Sequence, residues 1–267
     1  MVFKMGVFED VKGNYVKELL AKGVRENNRG MFDFRKIYIT KDFIPQAEGS
    51  SIVNIGDTKV LVGVKMQIGE PMADNPTDGN LIVSAELLPL AHAEFESGPP
   101  SPESIELARV VDRGIRAANS IDLSKLFIES NKVWEIYCDI YVLNYDGNLF
   151  DAGTLAVMTA LKNTKMPKYE DGKAIYEERN IPLPINSTVV STTFGKIKDK
   201  IIIDPNIHEE TALDARLTIA NDGKIIRAMQ KGLSGSISSK ELDDMANISI
   251  NKYAELNNAI NNAVKEE

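Results

Sequence analysis

The stretch "WEIYCDIYVLNYDGNLFDAGTLAVMTALKN", Trp134 to Asn163, constrains the fold more than any other part of the chain. Its first ten residues form an apolar, strand-like run, and Asp146-Gly147 is a turn signal directly after it. From Gly153 the residues are small and apolar enough to pack a helix against a sheet, and that helix is expected to end near Asn163. A strand–turn–helix of this kind aims backbone N–H groups at whatever sits above the turn, which suits a phosphate. Phosphate sites usually add a hydroxyl or a guanidinium at that place. Here the turn carries Asn148, Leu149, Phe150 and then an acid, Asp151.

The remaining pattern supplies the rest of a mixed chain. "YVKELLAK", Tyr15 to Lys22, reads as a short amphipathic helix with Asn14 as its cap and Gly23 as its stop. The polar stretch "RENNRGMFDFRKI" reads as a connector, and strands begin at Ile37. "GSSIVNIGDTKVLVGVKMQI" alternates about a hairpin turn at Gly56-Asp57, and "GNLIVSAELLPLAH" adds a third strand. Ser101 to Asn119 is a helix capped by Ser101, with Pro102 in its first turn. The strand pattern returns in "PLPINSTVVSTTFGKIKDKIIIDPN" and again about the turn Asn221-Asp222-Gly223. A final helix opens on a capping box from Ser238 to Glu241. Its apolar stripe is Leu242, Met245, Ser249, Tyr253, Leu256, Ile260 and Val264. The order implies an α+β chain whose two halves each place helices on a sheet.

Composition narrows the function classes. With 267 residues, 43% hydrophobic and 26% charged, the chain has ample material for a core. No apolar run approaches the roughly 18–20 residues that span a bilayer. The first residues, "MVFKMGVFEDVKGN", carry acids where a signal peptide has its apolar stretch. The single cysteine, Cys138, can form no internal disulfide, so a cytoplasmic location is expected. A net charge of −8 opposes nucleic-acid binding over the whole surface and leaves room only for a local basic groove.

Arg109, Arg113 and Arg116 are the candidates for such a groove. Spaced i, i+4 and i+7, they fall within about 60° of arc on the Ser101–Asn119 helix, opposite Leu107, Val111, Ile115 and Ala118. Three guanidiniums on one stripe can track successive phosphates of a single strand. Alternatively, Glu106 and Asp112 pair with them on a solvated face. His208-Glu209-Glu210, near Asp204 and Asp214, could hold Mg²⁺, act as acid and base, or be a solvated loop. Cys138 lies in an apolar strand far from any histidine and is a poor nucleophile. No Walker loop, dinucleotide fingerprint or paired-cysteine site appears, so no cofactor or resident metal is expected.

Five segments in one order, "AEGSSIVNIGDTKVLVGVK", "AELLPLAH", "IELARVVDRGIRAA", "CDIYVLNYDGNLFDAGTLAVMTAL" and "IIIDPNIHEE", resemble the RNase PH family of phosphate-dependent exoribonucleases. The resemblance runs from about residue 30 to the C-terminus and is strongest to the non-catalytic ring subunits of the archaeal exosome. It implies an RNase PH-like fold of the ribosomal protein S5 domain 2-like type, made of two related β-α-β halves. The implied division is an N-terminal helical extension (1–30), a first half (31–165), a connecting loop (166–186) and a second half with a C-terminal helix (187–267). In active members the turn after Asp146-Gly147 grips phosphate with Thr and Arg, where this chain has Leu149 and Phe150. Active members also carry an arginine where Leu90 stands in "LLPLAHAEFE". Asp204 matches the first catalytic acid and Glu210 falls at the second. The resemblance therefore implies a subunit without catalysis of its own. It would sit in a hexameric ring, a trimer of heterodimers with a catalytic RNase PH-like subunit, below RNA-binding cap proteins. Arg109, Arg113 and Arg116 match the family's basic helix and would face single-stranded RNA. The alternative is an active phosphate-dependent 3'-to-5' exoribonuclease that uses Asp204 and Glu210.

Overall fold

The computed structural model describes the backbone of residues 7–265 and the side chains of residues 12–265. Helix α1 (Val7–Ala21) leads through a turn-rich connector to β1 (Ile37–Lys41), β2 (Gly49–Ile55), β3 (Thr58–Gly69) and β4 (Asn80–Leu87). Helix α2 (Pro102–Ala117), the short β5 (Phe127–Glu129), the long β6 (Lys132–Asn144) and α3 (Leu149–Asn163) complete the first half. The hairpin β7 (Lys165–Glu170) and β8 (Lys173–Pro182) follows. The second half is β9 (Val190–Ile197), β10 (Lys200–Ile203), α4 (Ile207–Thr211), β11 (Ala215–Asn221), β12 (Ile226–Gly232) and α5 (Ser239–Lys265).

The first sheet has the order β1-β2-β3-β6-β4, with β5 added on β6. Only β4 runs parallel to its neighbour, and α2 is the helix of the crossover between β4 and β6. The second sheet, β10-β9-β11-β12, is antiparallel throughout. Helix α3 joins the layers. It touches β2 and β3 of the first sheet and β9 of the second, and every side chain from Leu149 to Leu161 is buried. A helix this rich in apolar residues is buried all round, and its polar Asp151, Thr154 and Thr159 go into the interior with hydrogen-bond partners. Contact is close enough that a Cβ on Gly49 would lie 2.6 Å from the Ala160 carbonyl oxygen. Leu155, fully buried between the sheets, contributes the usual 2–5 kcal/mol of a core leucine or so, on the order of what its truncation to alanine would remove.

The predicted caps of α2 and α5 are present. Ser101 Oγ accepts from the Ser104 N–H at 3.2 Å, and Ser238 Oγ accepts from the Glu241 N–H at 3.3 Å. The α5 stripe packs as the spacing predicts, with Met245, Ser249, Leu256 and Ile260 buried. Three elements differ from expectation. Helix α1 is already helical at Val7, the first described residue, so Asn14 lies inside it and caps nothing, although Gly23 does end the turn beyond it with φ +75. Helix α3 begins at Leu149 rather than near Gly153. The segment expected to be a loop after residue 165 is the β7–β8 hairpin.

Candidate functional site

Above the N-terminus of α3, Gly147 adopts φ +82 and Asn148 adopts φ +56, a left-handed pair that turns the chain sharply from β6 into the helix. Only glycine fits at 147, because a Cβ there would come within 2.5 Å of the Pro205 carbonyl oxygen. The Asn148 N–H, one of the donors an anion at this turn would meet, donates instead to Glu210 Oε1 at 2.8 Å. Tyr145 donates its hydroxyl proton to the other oxygen of the same carboxylate. The turn is therefore closed by the chain's own acid. Burial pushes the Glu210 carboxyl up, against the opposing pull of Tyr145 and the Asn148 N–H.

Leu149 and Phe150 form a buried floor beside it. The Arg216 guanidinium stacks 4.4 Å from the Phe150 ring centre and donates to Glu106 at 2.5 Å. Glu103, Glu106, Leu107, Tyr145, Leu149, Phe150, Glu210 and Arg216 enclose about 20 Å³. That is room for a water and not for a phosphate. Leu90 is 70% exposed and offers no charge.

Asp204 is fully buried, and five donors surround its two oxygens. Oδ2 accepts from Arg29 Nη1 at 2.6 Å, from Arg35 N at 2.8 Å and from Arg35 Nε at 2.9 Å. Oδ1 accepts from Arg35 Nη2 at 2.8 Å and from Asn148 Nδ2 at 2.7 Å. Burial alone would raise this carboxyl, but the hydrogen bonds and charge of Arg35, joined by Arg29, outweigh burial and hold it below the usual carboxylate range. Ionised and saturated, Asp204 has no free lone pair for a proton or a reacting group.

Glu209 is likewise committed. It accepts from Arg25 Nε at 2.7 Å and Nη2 at 2.6 Å, and it closes the capping box of α4 with Asn206. Arg35 reaches across to Asp146 and the Gly147 carbonyl, tying the turn of the first half to the acids of the second. Asn148 Nδ2 also donates to Asp151, whose carboxyl accepts from the Thr193 N–H and hydroxyl, each at 2.8 Å. Burial pushes Asp151 up to about 7 despite those donors.

The connector arginines are the residues of this buried ion-pair cluster that the sequence pattern does not reveal. Arg25, Arg29 and Arg35 sit in a polar, turn-rich stretch that looks like surface, yet Arg25 is 1% exposed. The usable signal was numerical: three arginines in one connector facing the acid-rich "IIIDPNIHEE". The His208 cluster does not assemble as a metal site. His208 turns away to Glu26 at 3.0 Å and Lys12 at 3.1 Å, and among the described residues no group of three ligating side chains could hold a metal. Cys138 is buried, and burial pushes its thiol up, which keeps it inert.

Arg109, Arg113 and Arg116 all lie exposed on α2, while Leu107, Val111 and Ile115 face the core. They line a groove with Asp112 and Ala117. Their local partners differ. Arg116 Nε donates to both oxygens of Asp112 at 2.9 Å, and its Nη2 donates to the Leu81 carbonyl. Arg113 Nη1 donates to Gln230 Oε1 at 3.0 Å. Glu106, expected as a flank for the stripe, is drawn to Arg216 instead. Arg109 has no hydrogen bond or ion pair among the described residues.

The sequence matches the model of the 3' exoribonuclease family, domain 1, over residues 33–167 and that of domain 2 over residues 187–252. The chain belongs to this exoribonuclease family. Its fold is the RNase PH-like fold that the resemblance implied. Exosome complex component Rrp42 of Methanothermobacter thermautotrophicus is 42% identical over 262 residues, covering 96% of each chain. Exosome complex component Rrp42 of Archaeoglobus fulgidus is 45% identical over 249 residues, covering 92% of this chain and 94% of that one. Among solved structures, a chain of the Archaeoglobus fulgidus exosome with RNA bound to the active site superposes with TM-score 0.88 and 43% identity, covering 95% of this chain and 99% of that one. Rice Rrp46, at 17% identity and TM-score 0.70, shares the fold.

Proposed function

We propose that this chain is a non-catalytic subunit of an archaeal exosome ring, shaping the active site of a catalytic RNase PH-like partner and contacting RNA during 3'-to-5' degradation. The observation that carries this reading is the closed turn: Glu210 occupies the Asn148 N–H. It is supported by Asp204, saturated by Arg29, Arg35 and Asn148, and by relatives that are exosome components. The partner would supply phosphate binding and acid catalysis, in a hexamer of three heterodimers with RNA-binding caps above. We read residues 1–30 as an N-terminal extension, 31–165 and 187–267 as the two halves, and 166–186 as their connection. A reducing cytoplasm suits the buried free thiol of Cys138.

What this chain adds is the basic stripe of Arg109, Arg113 and Arg116. Guanidinium contacts to phosphate are blind to base identity and position the strand at the partner's site. Incubating RNA with phosphate and the pure chain should release no nucleoside diphosphate, and adding the partner should restore release. In the assembled ring, Arg113→Glu should weaken RNA binding and slow degradation while ring mass and melting temperature hold. Phosphorolysis by the lone chain would overturn the non-catalytic assignment and favour an enzyme using Asp204 and Glu210.

A further inference from the structure

The three arginines of α2 share a face and differ in what holds them. Asp112 grips Arg116 by both carboxylate oxygens, and the Leu81 carbonyl takes a further N–H. That guanidinium is oriented, but its charge is largely cancelled where it stands. Arg113 is held by a neutral group, the amide oxygen of Gln230, through one nitrogen only. Its full charge and its remaining N–H donors stay available. Gln230 comes from β12 of the second half, 117 residues away in sequence, and is itself half-buried, so the acceptor is fixed by the sheet and not by the helix that carries the stripe. Lys231 beside it turns to the Leu233 carbonyl, and Arg227 is neutralised by Asp222; Ala228 and Met229 also lie beside Arg113, which leaves Gln230 as the polar β12 side chain that meets the stripe.

We infer that Gln230 is a positioning residue for RNA binding: it pre-orients Arg113 without neutralising it, and thereby makes Arg113 a stronger phosphate contact than Arg116. The inference rests on the RNA-contacting reading of that stripe. The physical gain is preorganisation. Holding a long side chain in its bound geometry removes an ordering cost of a size that corresponds to about two- to tenfold in affinity. A carboxylate at the same place would hold Arg113 equally well and cancel its charge, as Asp112 does for Arg116. A neutral acceptor is the choice that serves a phosphate.

The test uses the ring assembled with its catalytic partner, without phosphate so that the RNA survives, and a labelled single-stranded RNA oligomer whose binding is followed across a salt series. Gln230→Met keeps the length of the side chain and removes the acceptor. It should weaken binding about two- to tenfold with the salt slope unchanged, because every charge is still present. Gln230→Glu should weaken binding further and lower the slope by about 0.7, one single-strand phosphate contact, with Arg113→Gln lowering the slope alike. In the Arg113→Gln background, Gln230→Met should add nothing. If Arg113→Gln weakens binding but the Gln230 variants bind as wild type, or lower only the melting temperature, Gln230 is a structural tie between the halves and the inference is wrong. If Arg113→Gln itself leaves affinity and slope at wild-type values, the stripe does not contact RNA, and the reading beneath the inference fails instead.

Discussion

Asp204 and Asp151 are two buried carboxylates joined by one amide, Asn148 Nδ2, and their environments push them in opposite directions. Arginines hold Asp204 down. Asp204→Ala would take from Arg29 and Arg35, whose side chains are 9% and 6% exposed, their shared anion, leaving Arg29 with Glu209 and Arg35 with Asp146. A buried charge left with no partner costs about 3–5 kcal/mol, and because each arginine keeps one carboxylate the variant should lose less than that in denaturant unfolding. Rings that still assemble should degrade RNA at the normal rate per ring; a collapse of turnover at unchanged stability would make Asp204 a participant in chemistry. Asp151 lies at about 7 when folded, well above an ordinary carboxyl near 4. Between those values the folded state binds a proton that the unfolded state has lost, so this group's contribution to stability falls as pH rises from about 4 through about 7 and is flat beyond. Asp151→Asn cannot titrate. Relative to wild type, its urea midpoint should therefore improve between pH 5 and pH 8, and an identical difference at both values would mean that Asp151 stays ionised throughout.

Elements whose signals are local were legible in the sequence. The Ser101 cap, the Ser238–Glu241 box, and the turns at Gly56-Asp57 and Asn221-Asp222-Gly223 all stand where spacing placed them. Where prolines dominated the reading, it went astray. Asp171-Gly172, with φ +50 and +79, is a hairpin turn whose handedness fits strand twist, and it outweighed Pro167, which sits at a register shift inside β7, and Pro182 at the far end of β8. Helix α3 starts early because the left-handed Asn148, not the run of small residues, sets its first turn. The closure of that turn was not legible at all, since Glu210 and Asn148 are 62 residues apart. Only the mismatch between an anion-ready turn and its apolar side chains pointed there. Replacing Leu149 and Phe150 with Thr and Arg should therefore leave the isolated chain unable to phosphorolyse RNA. Glu210 would still hold the Asn148 N–H, and the new guanidinium would face Arg216 across the space of the Phe150 ring. Nucleoside diphosphate released by that double variant alone would mean that the two side chains were the only barrier.

The first sheet offers one face to α3 and turns the other away. Val60, Val62 and Val64 point to the helix side and are fully buried, while the intervening Leu61 is only half-buried, as are Ile52 and Tyr141 aligned with it across β2, β3 and β6. Tyr38 at the β1 edge is 61% exposed. A chain of this size can fold with such a face uncovered, but apolar area left in water is stability not yet gained, at roughly 25 cal/mol per Å². A ring partner that covers it binds the folded form alone, so stability should rise with the logarithm of the free partner concentration. The proposed catalytic subunit should thus raise the melting temperature of this chain in a dose-dependent way, and Leu61→Lys should abolish the rise if that row is the covered one. Isolated RNA should not substitute for the partner: a net charge of −8 opposes a polyanion over the surface as a whole, and one short basic groove gives a weak, salt-sensitive hold. Calorimetry of the chain with partner, with RNA and with both separates these terms. A melting point unmoved by the partner at any concentration would refute the ring assignment, whatever the stripe binds.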